Sequence, residues 1–499
     1  MIRIMILAII DESIPLSNQT ALYWFTNDLR LQDNITLNAV CRQSASIAFI
    51  YVFNPLWLTP KNYHQRFIGQ HPLTFIIQSL LDLEQQLKAL GHTFYIIEGN
   101  PSVEIPSLVH ANDINLLGKS RQLGWYEAKT WQTLQQRLPE QKMVSKWSNQ
   151  LYTPEHLFGA MQLATPENDV VSSDNADILQ SFSKFRNHVE KPSLRQLDVS
   201  TTLVQDLPAP LVLQGNFKTI ADLQLLQQSN FKATNPSEHS NDQRFEGGEH
   251  AAQSHIKAYF TGNHPTTYKR TRNELDGWNS STKFSPYLAN GNLSPRQIWA
   301  AVEEFEKTHI KNDDTYWIKF ELLWREYFHW QALQQGVSLY QFQGMASTRP
   351  LTTYLPERFQ KWCQGNTPYA LINACMKQLN ATGYMSNRGR QISASCLVNE
   401  LGVDWRYGAA YFQEKLIDHD VASNWGNWQY IAGVGVDPRG GRHFNLEKQQ
   451  QSYDPNGEFV AKWQGSSSSN QPLDSLDAVG WPYLPTSNTS SHSAKLDQQ

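Results

Sequence analysis

PLTFIIQSLLDLEQQLKALGHTFYIIEG, residues 72–99, changes its hydrophobic period partway along. Over 72–91 the spacing sets Ile76, Leu80, Leu83, Leu87 and Leu90 on one face of a helix, with Gly91 suited to end it. TFYIIEG, 93–99, is a short β-branched and aromatic run that reads as a buried strand. ALYWF at 21–25, SIAFIYVF at 46–53 and INLLG at 114–118 share that character. Strands alternating with amphipathic helices predict a parallel, Rossmann-like α/β domain over residues 21–150. No G-x-G-x-x-G follows the first strand, so the usual dinucleotide fingerprint is absent.

Working outward, residues 1–20 read as an N-terminal extension. MIRIMILAII is followed by Asp11 and Glu12 and by no small-residue cleavage site. Residues 151–245 have weak periodicity and read as an interdomain linker with some helix, containing FSKFRNHVEKP. From 246 to 465 strand signals vanish, and AAQSHIKAYF, PRQIWAAVEEFEKTH and YWIKFELLWREYFHWQAL predict an all-α domain. Residues 466–499, rich in Ser, Asn and Pro, read as a disordered tail.

The 499 residues exceed one ordinary domain. A formal charge of −4 excludes a globally basic nucleic-acid binder, so any such contact needs a local cluster of Lys and Arg. The 12% of aromatic residues suits stacking on flat rings. Cys41, Cys363, Cys375 and Cys396 have no C-x-x-C spacing, and neither a metal site nor a disulfide framework is expected. No run nears the roughly 18 apolar residues of a membrane span, so a cytoplasmic setting without membrane contact is expected.

Five segments of the helical domain carry candidate chemistry. YKRTR, 268–272, precedes SSTKFSP, 280–286, where Ser285 before Pro286 reads as an N-cap. Free backbone N–H groups there suit a diphosphate, or simply an ordinary capped helix. FELLWREY, 320–327, sets Glu321 and Trp324 on one helical face with Arg325 four residues after Glu321. An ion pair between Glu321 and Arg325 is one reading; a carboxyl walled by Trp317, Trp324 and Trp330, its pKa raised so that it donates a hydrogen bond, is the other. Asn387 and Gln391 can read base edges, while Arg388 and Arg390 can hold phosphate or a carboxylate. DWR, 404–406, is the fourth segment. The fifth, IDHDVASNWGNWQYIAG at 417–433, combines two acids, an amide and indoles in a way that suggests a redox cofactor.

TYKRTRN, SSTKFSP, FELLWRE, TGYMSNRGRQ, DWR, IDHDVASNWGNW and YDPNG together resemble the photolyase and cryptochrome flavoproteins, most closely the DASH-type cryptochromes. FSKFRNHVE and WFTNDLRLQDN fit the same subgroup, and the likeness covers roughly residues 20–465. The resemblance implies that the all-α domain binds folded-back FAD. Tyr268, Ser281, Thr282, Lys283, Phe284 and Ser285 match the segment clasping it, Arg325, Arg390, Asp418 and Asp420 its charged partners, and Asn424 the residue facing flavin nitrogen 5.

Glu321, Trp324, Asn387, Gln391 and Tyr430 match positions lining the site of a cyclobutane pyrimidine dimer. Arg272 and Arg388 match contacts to its flanking phosphates. Gln391 and Tyr430 stand where duplex-repairing relatives usually carry Met and Trp, which implies action on dimers in single-stranded DNA, with RNA an open alternative. Trp428 and Trp405 match the two inner members of a three-Trp photoreduction relay, whose outer position is Thr352 here; Tyr354 and Trp362 are alternative donors. Gln122 stands where DASH relatives use Glu against a methenyltetrahydrofolate antenna, and that second chromophore is left open. A monomer is expected. The alternative function is a blue-light photoreceptor that binds nucleic acid or a protein partner with little or no repair.

Overall fold

The structure, a computed structural model, describes residues 19–158, 176–192, 194, 198–199, 207–231, 245–436, 440–468 and 473–474. Most of the expected N-terminal extension, parts of the linker and most of the tail lie outside the described residues.

Strands β1 (Thr20–Phe25), β2 (Ser46–Phe53), β3 (Phe94–Glu98), β4 (Leu116–Gly118) and β5 (Lys142–Val144) form a parallel sheet in the order β3-β2-β1-β4-β5. A two-residue strand, β6 (Ala209–Pro210), pairs with β2. The sequence pattern identifies β1 to β4 and misses β5 and β6: the three residues of β4 are all buried, whereas β5 opens on an exposed Lys142 and β6 has only two residues, both exposed. Helices α1 (Ile35–Cys41), α2 (Gln70–Ala89), α3 (Pro101–Ala111) and α4 (Trp125–Arg137) connect the strands.

Alternate residues of each strand serve opposite faces. Tyr23, Phe25, Phe49 and Tyr51 pack with Leu73, Ile77, Leu80, Leu83 and Leu87 of α2, whereas Leu22, Trp24, Ala48 and Ile50 meet Ile105, Leu108 and Val109 of α3 and Leu134 of α4. Leu90, expected on the buried face, is 43% exposed, because α2 closes at Ala89 and the chain turns away through Gly91 at φ +82°. The strand order reverses between β1 and β4, and in such sheets a crevice opens at the carboxyl ends of the strands on either side.

The rest of the described chain is helical. Its helices include α5 (Phe182–Val189), α6 (Ser285–Asn290), α7 (Asp313–Gln335), α8 (Asn387–Ser395), α9 (Trp405–Lys415) and α10 (Val421–Ala432). Asn312 starts α7 with a reciprocal cap to Thr315, and Asp420 starts α10 by accepting from the Ser423 N–H.

Buried charge joins this region to the α/β sheet. The fully buried Arg296 guanidinium meets Asp33 at 2.9 Å, and the Glu249 carboxylate accepts the backbone N–H groups of Leu31 and Gln32 at 2.8 and 3.0 Å. Beyond α10, Gly465–Ser468 forms a 3₁₀ turn, and Asp474 receives two hydrogen bonds from Arg358.

Candidate functional site

The segment between α9 and α10 holds two carboxylates in different settings. Asp418 is buried; one oxygen, Oδ2, accepts from the Ser285 hydroxyl at 2.6 Å and from Arg390 at 2.8 Å, while the other, Oδ1, is buried and has no partner. Ser285 is therefore not the side-chain cap its sequence suggests: it is the first residue of α6, and its hydroxyl is spent on Asp418. Asp420 lies with both oxygens 3.1 Å from His329 Nε2. Burial pushes its carboxyl pKa up, but His329, Arg325 and the Ser423 contact outweigh that and hold it far below the usual range.

Between them, His419 has both ring nitrogens buried without a partner, and burial pushes its pKa down to about 4. One turn into α10, Asn424 Nδ2 donates to the Ala409 carbonyl at 2.9 Å, which leaves its oxygen as an acceptor. A carboxylate oxygen without a donor, a neutral imidazole without a partner and an amide with a spare acceptor fit a ligand rich in hydroxyl and N–H groups. The segment 268–285 reaches this site through the Ser285 hydroxyl on Asp418; within it, Lys283 Nζ donates to Ser281 at 3.0 Å and to Tyr384 at 3.2 Å, and the Thr282 carbonyl meets His255 Nε2 at 2.8 Å. Tyr268 and Phe284 are buried in the adjoining core.

A second group of residues gathers around α7. Glu321 pairs with Arg272 rather than with Arg325, whose guanidinium instead donates to the Asn149 carbonyl at 2.9 Å. Burial raises the Glu321 pKa, and Arg272 opposes the rise. Arg272 also lies 5.2 Å from the Trp317 ring, and Lys269 Nζ 4.6 Å from it.

Trp324 stacks face to face on Phe182 of α5 at 3.7 Å and meets the edge of Tyr430 at 6.1 Å. Tyr430 is in turn hydrogen-bonded by Arg442. At the start of α8, Asn387 is exposed, Gln391 is half-buried, and Arg388 donates to Asn273 at 3.2 Å with its guanidinium 4.9 Å from the Tyr453 ring. Sequence reasoning missed Phe182 and His329. For His329 a signal was present, since it follows Arg325 by four residues and so shares its side of α7.

Trp428 and Trp405 are 2% and 0% exposed, and Trp405 Nε1 donates to the Phe342 carbonyl at 3.0 Å. Trp362 is also fully buried, 6.1 Å from Trp428. A cleft of about 600 Å³ opens where the sheet meets the helices, lined by Lys61, Tyr63, Gln122, Glu127, Gln413 and Trp425 and reaching His419 and Asp420.

Residues 21–210 match the DNA photolyase family model and residues 317–470 the FAD-binding domain of DNA photolyase. This pairing defines a photolyase-like flavoprotein with FAD as its cofactor. The chain is 45% identical to the cryptochrome DASH of Idiomarina loihiensis, covering 92% of this chain and 96% of that one. It is 41% identical to the cryptochrome DASH of Vibrio parahaemolyticus, over 94% of this chain and 98% of the relative. Against the crystal structure of a Synechocystis cryptochrome the TM-score is 0.81 at 34% identity, with 92% of this chain and 91% of the other covered. The chain belongs to the photolyase and cryptochrome flavoprotein family, in its DASH-type branch.

Proposed function

We propose that the protein is a blue-light-dependent lyase that splits cyclobutane pyrimidine dimers in single-stranded DNA. The observation that carries this reading is Glu321, a carboxyl raised in pKa by burial and held by Arg272, three residues before Trp324 on the same helix. Asp418, Ser285, Arg390, Arg325, Asp420 and Asn424 would hold FAD, together with Tyr268 and the 281–284 segment. What FAD supplies when bound is one electron, delivered on excitation of its reduced form and recovered once the dimer ring has opened.

The protein's part is positional and electrostatic. Arg272 and Arg388 take the phosphates flanking the lesion. As Arg272 turns to phosphate it releases Glu321, whose remaining environment favours the protonated acid, and that acid donates a hydrogen bond to a dimer carbonyl and stabilises the added negative charge. Trp324 and Tyr430 wall the dimer, and Asn387 and Gln391 meet base edges. Asn424, whose Nδ2 is spent on the Ala409 carbonyl, would offer its oxygen as an acceptor to the flavin ring. A duplex would add an unpairing cost of a few kcal/mol before a dimer could enter, which is why single strands are the proposed substrate. Gln122 lines the cleft offered for an antenna chromophore.

The test is repair of a dimer-containing oligonucleotide under blue light by chemically reduced protein, in single-stranded and duplex form. Repair confined to single strands is the expected result, and equal repair of both sinks the strand preference. The photoreceptor reading is favoured by one observation, Thr352 at the outer relay position. It predicts flavin absorption with repair of neither form.

A further inference from the structure

Trp405 is fully buried. An oxidised Trp405 therefore needs an outlet, and Thr352 carries no oxidisable ring. On the reading above, we propose that the electron hole leaves Trp405 through Trp425 and Tyr340 and ends on Tyr126 at the surface.

The ring centres are spaced for short hops: 5.8 Å from Trp405 to Trp425, 5.0 Å from Trp425 to Tyr340 and 5.6 Å from Tyr340 to Tyr126. Trp425 is 4% exposed and Tyr126 is 57% exposed, so the path runs from core to solvent and crosses from α10 to α4 of the α/β domain. Glu127 stands beside the route: it bears on Tyr340 electrostatically, its Oε2 is buried without a partner, and burial raises its pKa while Lys119 opposes the rise.

The rival donors are worse placed. Trp362 is sealed in the core with its indole N–H on the Ser393 carbonyl. Among the described rings, Tyr354 is reached from Trp425 through Tyr63 at 6.4 Å and then Tyr407 at 5.0 Å, a longer first hop than the 5.0 Å to Tyr340.

The electron count closes. With FAD bound and photoexcited in its oxidised form, Trp428 would supply one electron, Trp405 would refill Trp428 as the family relay implies, and each outer ring would refill its inner neighbour. Tyr126 finally gives up one electron to Tyr340 and its phenol proton to water. An external thiol then returns one electron and one proton to the neutral Tyr126 radical.

The experiment uses the FAD-loaded full chain in its oxidised form under blue light with excess thiol, following loss of the oxidised flavin band. Tyr126→Phe and Trp425→Phe are expected to slow that loss at least tenfold, and Tyr354→Phe to leave it at the parent rate. A second readout is position: with a nitroso spin trap in place of thiol, peptide mapping should find the adduct on Tyr126. Unchanged bleaching in both Tyr126→Phe and Trp425→Phe, or an adduct on Tyr354 or Tyr407, overturns the route. Repair by the chemically reduced parent protein, measured in parallel, bypasses the relay and so reports on the lyase reading alone.

Discussion

Glu321 carries two opposed influences, burial that favours its neutral form and an Arg272 partner that favours its charged form. With Arg272 drawn to phosphate, the neutral acid should dominate, and repair should fall as pH rises through the Glu321 pKa. Glu321→Gln, which donates at every pH, should lack that alkaline limb. Glu321→Ala should lose on the order of 10²-fold in repair rate with flavin absorption intact. A pH–rate profile of the three proteins checks all of this, and a Glu321→Gln profile identical in shape to the parent removes the assignment.

Asp420 is the opposite case. Its depressed pKa means that its ionised form contributes stability above about pH 4, and that contribution is lost as the pH falls further through the folded-state value. Asp420→Asn, which leaves His329 and Arg325 without their buried counter-charge, should cost about 3 kcal/mol at neutral pH, read from urea unfolding. The acids were legible in the sequence because acids beside indoles are unusual. His329 was passed over although its place four residues after Arg325 marks it, because one imidazole among aromatic residues reads as core.

Elements decide what the residues can reach. Gly408 of α9 lies against the Trp428 ring and Leu397, so closely that a methyl group there would strike both. Gly408→Ala should displace the indole, cost about 1–3 kcal/mol and slow photoreduction, measured by thermal unfolding and by bleaching of the oxidised flavin band. The same scale explains the uneven legibility of the fold. The period of β1 to β3 and α2 is carried by long apolar runs and the short β4 by Leu116 and Leu117, whereas β5, Lys142–Val144, opens on an exposed Lys and takes its strand character from pairing with β4. The reading of Ser285 failed because a Ser-Pro pair looks like a cap whatever the hydroxyl bonds to, and Asp418, its partner, lies 133 residues away. Phe182 was hidden for a similar reason: nothing in the 151–245 segment says that α5 folds back onto Trp324.

At the scale of the molecule, the seam between sheet and helices should respond to pH. Burial pushes Glu249 up to about 7 against the two N–H groups it accepts. A raised carboxyl favours the fold while it is protonated, so this contribution is complete below about pH 4.3 and drains away as pH rises through 7, by at most about 4 kcal/mol. Unfolding midpoints between pH 5 and 8 should therefore fall more steeply for the parent than for Glu249→Gln. Equal slopes would assign the pH response elsewhere.

The Asp418 carboxylate that grips Ser285 lies 133 residues after it in the chain. A pocket assembled from such distant pieces closes only once α10 has been made, and a ligand that binds only the closed form stabilises that form alone. Products that stop short of α10 should thus be colourless. The yellow of bound flavin becomes a visible sign that the helical domain has closed, readable in a crude extract before any assay of light-driven chemistry.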